Sequence, residues 1–373
     1  MKRIIIAGGG TGGHFYPGLS IALKLKSKGI EILFAVKKND ISLETLKEKE
    51  IPYVEIDAVS FPRGLNPLSH FRFMFKLFSS FFYSMRIIKD FAPQAVLGTG
   101  SYVSFPMAAA AKIKKIKVYL HESNSIMGFS NKAAGIFADK IFYGLPLREN
   151  LFPNKTVSAG IPLREEFEGE ITKKEAREKL NFPQNDFIVL VLGGSQGSAS
   201  INSAFYKTLL DLSYENKQLP FFIHISGKNN YAQLKESYEK AGLTNRGIIL
   251  PYCENMPVLY CAADAVISRS GSGTIAELCR YKKPALLIPL KTAAGDHQTF
   301  NAMALSSKGC AMIIKDDEFL FEKLKQSIEK FLTLDNISAM KKAYERLDLP
   351  SNLLSAEKIS EEIIKDIGYK KNS

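Results

Sequence analysis

Short runs of apolar, largely β-branched residues alternate along this chain with longer segments of helical periodicity. In the first half, such runs cover residues 4–7, 30–36, 53–56, 95–97, 118–121, 141–143 and 157–159. In the second half they cover residues 187–192, 221–226, 248–251, 265–268 and 285–289. Short strands separated by helices are typical of a parallel, doubly wound sheet. The pattern therefore predicts an α/β fold that is built twice.

The two series of strands divide the chain into two predicted domains, residues 1–162 and residues 163–349. A length of 373 residues suits two domains of conventional size. We expect a C-terminal helix within residues 350–373 to return to the first domain and complete it. Each half opens on a glycine loop, so we expect two Rossmann-like domains that face a central cleft at the carboxyl ends of their strands.

The first strand runs into a glycine-rich loop, GGGTGGH, at residues 8–14. Glycine lets main-chain N–H groups approach a ligand closely, and the following helix adds the positive end of its dipole. The loop therefore favours an anion. Its glycines match the dinucleotide pattern G-x-G-x-x-G, but Lys37 and Lys38 stand where an acidic ribose-binding residue is needed, which disfavours NAD.

The segment RSGSGTIAE, residues 269–277, follows a strand of the second half. Its serine, glycine and threonine residues at a helix start offer N–H and O–H donors to a phosphate, and Glu277 could accept the hydroxyls of a ribose. The ordinary alternative is a simple helix cap with a solvated Glu277. The polar segment that contains His297 and Gln298 follows the next strand, so these side chains would reach the same edge of the sheet.

Two further loops of the first half place polar side chains after strands. They are GTGSYVSFP at residues 98–106 and HESN at residues 121–124. Glu122 and Asn124 would face the predicted cleft and are the better site candidates. A lone histidine such as His121 is more often structural.

The segment 67–91 is predicted to be a helix with more apolar residues than one core-facing stripe holds. Arg72, Lys76 and Arg86 fall on one narrow arc, and apolar residues cover most of the remaining circumference. The favoured interpretation is a helix buried by neighbours on two sides. The alternative is a partly exposed apolar surface that lies, with its basic residues, on an anionic membrane.

Composition limits the class of protein. A net charge of +12 fits nucleic acid, an anionic membrane or a phosphorylated substrate as partner. No apolar run reaches the length of a membrane span and the N-terminus enters a strand directly, so we expect a cytoplasmic protein. The four cysteines lack close paired spacing, which argues against a disulfide framework and a zinc site.

Taken together, the motifs resemble the MurG family of peptidoglycan glycosyltransferases. The resemblance rests on GGGTGGH, GTGSYVSFP, HESN, GIPLR, GGSQG, RSGSGTIAE and DHQ–NA, which occur in this order between residues 4 and 302. It implies the two-domain GT-B fold and the transfer of N-acetylglucosamine (GlcNAc) from UDP-GlcNAc to the muramyl 4-hydroxyl of undecaprenyl-diphosphate-linked lipid I. The product would be lipid II. The chain departs from the family pattern at Ser101, Ile161 and Ser272, where the family commonly has Gly, Asn and Ala.

The resemblance also implies a donor site in the second domain. Arg164 would lie near the phosphates, Ser195 and Gln196 near the diphosphate and sugar, and Glu277 at the ribose. The other donor residues would be Tyr252 and Cys253 at the uracil, Ser272, Gly273 and Thr274 at the phosphates, and His297 and Gln298 at the sugar hydroxyls.

In the first domain, the resemblance implies an acceptor site whose diphosphate rests on the glycine turns 10–13 and 98–100. Its residues would be Thr11, Gly12, Gly13, His14, Thr99, Gly100, Ser101, Tyr102 and Asn124. The acceptor hydroxyl must lose a proton during direct displacement with inversion, and His14 suits that role by its intrinsic pKa. Equally, His14 could serve only to hold the glycine loop, and Glu122 is the alternative base.

The partners implied are UDP-GlcNAc, lipid I and an anionic membrane surface, with cell-wall synthesis enzymes as further candidates and no nucleic acid. No metal or other cofactor is expected, because no carboxylate cluster is spaced like a divalent-metal site. The implied location is peripheral, on the cytoplasmic face of the inner membrane. The rival functions are a UDP-GlcNAc 2-epimerase or another GT-B lipid glycosyltransferase, and a non-catalytic basic protein that binds membrane or nucleic acid.

Overall fold

Residues 2–59, 62, 66–194, 196–331, 333–350 and 352–368 are described by the structure, a computed structural model. The chain divides into two compact units, one of Met1–Arg164 with Leu349–Ser373 and one of Glu165–Asp348. Each unit is built on its own parallel sheet with helices between the strands. The α/β class predicted from the strand pattern is confirmed.

The first unit begins with seven strands and five helices among its described residues. The strands are β1 (Arg3–Ala7), β2 (Glu31–Lys37), β3 (Tyr53–Ile56), β4 (Ala95–Gly98), β5 (Lys117–Glu122), β6 (Lys140–Tyr143) and β7 (Thr156–Ser158). The helices are α1 (Gly12–Ser27), α2 (Leu43–Glu48), α3 (Pro67–Phe91), α4 (Ser104–Ile113) and α5 (Phe129–Gly135).

The strand order of this sheet is β3-β2-β1-β4-β5-β6-β7. Ile4, Ile5 and Ile6 of the central strand β1 are fully buried, because both faces of a parallel sheet are covered and its strands are apolar throughout. The order changes direction between β1 and β4, which makes their carboxyl ends the expected ligand site of this sheet.

The second unit holds six strands and eight α-helices among its described residues. The strands are β8 (Ile188–Leu192), β9 (Phe221–Ile225), β10 (Gly247–Leu250), β11 (Ala265–Ser268), β12 (Ala285–Leu287) and β13 (Ala311–Ile313). The helices are α6 (Lys173–Lys179), α7 (Ala199–Tyr214), α8 (Tyr231–Lys240), α9 (Met256–Ala262), α10 (Ser272–Tyr281), α11 (His297–Ser306), α12 (Leu320–Phe331) and α13 (Leu334–Ala343).

The second sheet repeats the arrangement of the first. Its order is β10-β9-β8-β11-β12-β13, so the direction changes between β8 and β11. The expected ligand site of this unit therefore lies at the carboxyl ends of β8 and β11.

The last helix, α14 (Ser355–Asp366), packs against α1 of the first unit. The hydroxyl of Tyr119 donates to Asp366 at 3.1 Å. The N–H of Ile161 donates to Oδ1 of Asn352 at 2.8 Å. Of the segment predicted to return here, residues 351 and 369–373 lie outside the described residues.

Helix α3 has the bounds predicted for the segment 67–91. Its first amides are capped by the Asn66 side chain, which accepts from Leu68 N–H at 3.0 Å, and Ala92 ends it in the left-handed conformation. The large apolar side chains that it exposes are Leu68, Phe71, Met74, Phe75, Phe78, Phe82 and Tyr83. The interpretation of a helix buried on two sides is therefore wrong. Among the described residues, no helix has both the length and the apolar character needed to span a membrane.

Candidate functional site

The loop after β1 bends at two glycines. Gly9 and Gly10 have φ values of +103° and +83°, which residues with side chains rarely adopt. The N–H of Gly10 donates to Oδ2 of Asp40 at 2.7 Å. Helix α1 then begins at Gly12 with no acidic residue in its first turn. The amides of Gly12 and Gly13 open the positive end of a 16-residue helix, a suitable position for an anion.

The loops after β1 and β4 pack against each other. The carbonyl oxygen of Ala7 accepts hydrogen bonds from the N–H of Thr99 at 3.0 Å and from the hydroxyl of Ser104 at 2.9 Å. A β-carbon on Gly100 would stand 3.1 Å from Nδ1 of His14. The half-buried imidazole therefore lies where the two glycine turns meet.

The other predicted acceptor residues lie on the same loops. Thr11 is the exposed residue before α1. Ser101 is buried, and its carbonyl oxygen accepts the hydroxyl of Ser130 at 2.7 Å, which joins the loop after β4 to α5. Tyr102 is about half exposed, and Asn124 is half-buried.

Glu122, at the end of β5, is surrounded by hydrogen-bond donors. Its Oε1 accepts the N–H and the side-chain amide of Asn124 at 3.0 and 3.1 Å. Its Oε2 accepts the N–H of Gly128 and the side-chain amide of Asn131, both at 2.9 Å. A buried carboxylate with four donors is well satisfied. This arrangement favours a role in shaping the loop over a role as proton acceptor.

His121 is fully buried in the same strand. Its Nε2 lies 3.0 Å from the carbonyl oxygen of Gly160, and its Nδ1 lies 3.4 Å from the hydroxyl of Ser123. Burial lowers the pKa of His121, so the ring is neutral near pH 7. Ser123 also reaches the carbonyl oxygen of Gly13 at 3.4 Å, so the loop after β5 contacts the start of α1. The contacts of His121 favour the structural role expected for it.

In the second unit, the loop after β8 packs tightly against the loop after β9. A β-carbon on Gly197 would stand 2.2 Å from the carbonyl oxygen of Ser226. One on Gly227 would stand 2.4 Å from the carbonyl oxygen of Gln196. Only glycine permits the two loops to approach each other this closely. Gln196, in the loop after β8, is exposed. Ser195, predicted at the diphosphate and sugar, lies outside the described residues.

Arg269, the residue after β11, joins four loops of this unit. Its Nη2 donates to the Ser198 hydroxyl at 2.7 Å and pairs with Asp316 at 2.7 Å. Its Nη1 donates to the carbonyl oxygen of Ile288 at 3.1 Å. No sequence motif indicated a role for Arg269 or Asp316. An arginine that directly follows a strand, in a loop of small residues, is the signal that could have identified it.

Helix α10 begins beside this arginine. Gly271 precedes the helix in an extended conformation, and Ser272 is its first, buried residue. A β-carbon on Gly271 or Gly273 would have no heavy atom within 4 Å. Thr274 is half-buried. The backbone at this positive helix end is therefore open to a ligand.

Glu277 lies on α10 one turn beyond these residues. The buried hydroxyl of Tyr260 donates to its Oε2 at 2.7 Å. The Tyr260 ring stacks on Tyr281 with 5.5 Å between ring centroids. The Tyr260 hydroxyl therefore holds the carboxylate of Glu277 in position.

The predicted residues at the start of α11 connect two further loops. His297 is the first residue of α11 and is half-buried. The side-chain oxygen of Gln298 accepts the N–H of Leu290 at 3.0 Å, and its carbonyl oxygen accepts the Ser270 hydroxyl at 2.8 Å. Gln298 thus joins the loops after β11 and β12.

Two cation–π contacts involve predicted donor residues. Tyr252, which precedes Cys253 after β10, has the Lys228 ammonium 6.0 Å from its ring centroid. Arg164 lies with the first unit, where its guanidinium carbon is 5.0 Å from the ring centroid of Tyr16 in α1.

The predicted residues thus fall into two groups. The acceptor residues meet at the carboxyl ends of β1, β4 and β5 in the first unit. The donor residues other than Arg164 and Ser195 follow β8, β10, β11 and β12 in the second. Across the described ranges, no group of three or more His, Cys, Asp or Glu side chains is arranged to hold a metal ion.

Two family descriptions match the chain. The "Glycosyltransferase family 28 N-terminal domain" matches residues 4–143, and the "Glycosyltransferase family 28 C-terminal domain" matches residues 188–363. Among solved structures, MurG of Acinetobacter baumannii is 24% identical, with a TM-score of 0.78 over 98% of this chain and 100% of that one. A UDP-N-acetylglucosamine 2-epimerase has a TM-score of 0.63 at 16% identity over 100% and 98% of the two chains. These matches define a family 28 glycosyltransferase of the GT-B fold.

Named relatives identify the family more specifically. A protein of Elusimicrobium minutum is 40% identical over 97% of this chain and 99% of its own length. One of Desulforamulus reducens is 32% identical over 97% and 99%. Both are named UDP-N-acetylglucosamine–N-acetylmuramyl-(pentapeptide) pyrophosphoryl-undecaprenol N-acetylglucosamine transferase. The chain belongs to this family of transferases, the MurG family.

Proposed function

We infer that the protein transfers GlcNAc from UDP-GlcNAc to lipid I and so produces lipid II. This inference rests mainly on the 40% identity, over 97% of the chain, to a relative that is named as this transferase. The two sheets support it, because each brings polar groups and the start of a helix to the carboxyl ends of its strands.

For the donor, we propose that UDP-GlcNAc binds to the second unit. The amides at the start of α10 would hold the diphosphate, and Glu277 would accept the ribose hydroxyls. Main chain at Tyr252 and Cys253 would contact the uracil. Ser195, Gln196, His297 and Gln298 would lie near the diphosphate and sugar, and Arg164 would lie near the phosphates.

For the acceptor, the diphosphate of lipid I would lie at the start of α1 and at the turn that contains Thr99 and Gly100. The muramyl 4-oxygen forms a bond to the anomeric carbon while the bond from that carbon to the UDP oxygen breaks. UDP leaves with the electron pair, and the anomeric centre is inverted. The N-termini of helices would stabilise the negative charge on the leaving UDP, so this step would need no metal ion.

His14 would accept the proton of the 4-hydroxyl. Its Nδ1 edge lies against Gly100, so Nε2 is the nitrogen assigned to the proton. The four hydrogen bonds to Glu122 make that carboxylate the weaker candidate. Glu122 would instead hold Asn124 at the acceptor.

A membrane surface follows from the lipid-linked acceptor. The exposed apolar face of α3 and the exposed Arg72 beside it would lie on an anionic membrane. We place the protein at the cytoplasmic face of the inner membrane as a peripheral protein.

The test is incubation of the purified protein with labelled UDP-GlcNAc and a lipid I analogue, followed by extraction of the lipid fraction. Label in the lipid fraction, dependent on the acceptor, is expected. Formation of UDP-N-acetylmannosamine without transfer would favour the epimerase. No transfer, together with no rise in thermal stability on addition of UDP-GlcNAc, would overturn the proposal.

A further inference from the structure

The carboxylate of Asp40 contacts the first glycine loop, residues 8–14. No local sequence motif predicts this contact. Its Oδ2 accepts the N–H of Gly10 at 2.7 Å. A β-carbon on Gly9 would stand 2.8 Å from the same oxygen. The two glycines with positive φ therefore follow the surface of this carboxylate.

Asp40 is itself held firmly. Asp40 is only 8% exposed. Its Oδ1 accepts the N–H of Ser42 at 3.0 Å and the hydroxyl of Ser42 at 2.6 Å. Its own N–H donates to the carbonyl oxygen of Lys37 at the end of β2 at 3.2 Å. The loop after β2 thus supports the loop after β1.

This geometry decides which amides of the glycine loop can serve a ligand. The N–H of Gly10 already donates to a carboxylate, so a phosphate would compete with an internal anion for it. The amides of Gly12 and Gly13 open α1 and have no acceptor within the helix.

We propose that Asp40 is a positioning residue that turns Gly10 away from the acceptor and presents the amides of Gly12 and Gly13 to the acceptor's diphosphate. This proposal rests on the proposed function, because it concerns the same acceptor site. Asp40 acts through the loop and does not touch the substrate.

Asp40→Asn is the informative variant. The Gly10 N–H donates to Oδ2 and the Ser42 N–H donates to Oδ1. In asparagine one of these two oxygens is replaced by an NH2 group, which cannot accept, so one of the two N–H groups loses its acceptor. We expect the KM for a lipid I analogue to rise by about tenfold or more, the effect of losing a hydrogen bond to a charged group. His14 is also held by its contact with Gly100, so kcat should fall by a smaller factor. The dissociation constant of UDP-GlcNAc should not change.

Glu44→Gln is the matched control, because it removes the same charge from an exposed position in the neighbouring helix α2. It should leave all three constants unchanged. An unchanged acceptor KM in Asp40→Asn, or equal changes for donor and acceptor, would overturn the proposal.

Ser42→Ala provides a second, milder variant if Asp40→Asn does not fold. It removes one hydrogen bond from Oδ1 and should raise the acceptor KM selectively by a smaller factor, and the absence of any rise would contradict the proposal. Failure of the wild-type protein to transfer GlcNAc would instead reject the proposed function. If the wild-type protein transfers GlcNAc but the variants show no selective rise in the acceptor KM, only the role of Asp40 is rejected.

Discussion

The imidazole of His14 lies against the backbone of Gly100, where a β-carbon would stand 3.1 Å from both Nδ1 and Cε1. Gly100 has a φ of +95°, so the turn after β4 both requires glycine and leaves room for the ring. This contact joins the two glycine turns of the first unit and fixes the edge of the ring that faces the protein.

Replacement of His14 by alanine tests its role as base. We expect the transfer rate to fall by about 100-fold or more, the usual contribution of a general base. The dissociation constant of UDP-GlcNAc, measured by titration, should stay the same, because the donor is assigned to the other unit. Equal loss of turnover and donor binding would show that His14 is structural.

Glu277→Ala tests the ribose contact. Loss of the carboxylate should raise the dissociation constant of UDP-GlcNAc by about tenfold. Tyr260→Phe is the matched variant, because it keeps the carboxylate and removes only the hydroxyl that donates to it; its effect should be smaller. An unchanged dissociation constant in Glu277→Ala would remove this residue from the site.

The exposed face of α3 predicts membrane contact. Phe75 and Phe78 are 69% and 58% exposed, so changing both to serine should leave the thermal unfolding temperature nearly unchanged. Binding to anionic vesicles should fall by about tenfold or more, because two aromatic side chains no longer enter the lipid. Tyr214→Ser, at a 76% exposed position of the second unit, is the control.

Dilution of the anionic lipid tests the charge contribution to the same surface. Lys76 pairs with Asp57 at 2.8 Å and Arg86 with Asp90 at 3.6 Å. Arg72→Gln should therefore reduce the dependence of vesicle binding on anionic lipid more than Arg86→Gln. Indifference of the wild-type protein to lipid charge would contradict an electrostatic contribution.

The stability of the second unit should fall in acid because of His224. Burial lowers the pKa of His224 to about 3, whereas the unfolded chain binds this proton near pH 6.5. The unfolded state therefore gains a proton first, and the free energy of unfolding falls by about 1.4 kcal/mol per pH unit between these values. In urea unfolding, His224→Gln should show a shallower decline from pH 6.5 to pH 4. An identical pH slope would contradict this assignment.

The strands were predictable because parallel strands buried on both faces are apolar throughout. The predicted positions match β1 to β12 to within about two residues at either end. Strand β13 was missed, because two of its three residues, Ala311 and Met312, are of types that favour helices. The helix at Pro67–Phe91 was predicted with its bounds, but its burial was predicted wrongly. Its inward face includes Ser80 and Ser84, which pack closely because they are small, and hydrophobicity alone does not identify such a face.

The hydrogen bonds that shape the two loops could not be predicted from local pattern. Asp40 and Gly10 are 30 positions apart, and Arg269 and Ser198 are 71 apart. Each pair meets only because the strand order brings their loops to one sheet edge. Motifs located the glycine turns after their strands and Glu277 on the helix that follows β11, whereas the residues that support those turns could be identified only from the fold.

The mass of the lipid product shows whether the protein transfers GlcNAc to lipid I. Wild-type protein is incubated with UDP-GlcNAc and a lipid I analogue, and the lipid is analysed by mass spectrometry beside a reaction without protein. We predict that the analogue gains the mass of one N-acetylglucosamine residue and that an equal amount of UDP is released. A lipid of unchanged mass after prolonged incubation with active, folded protein would contradict it.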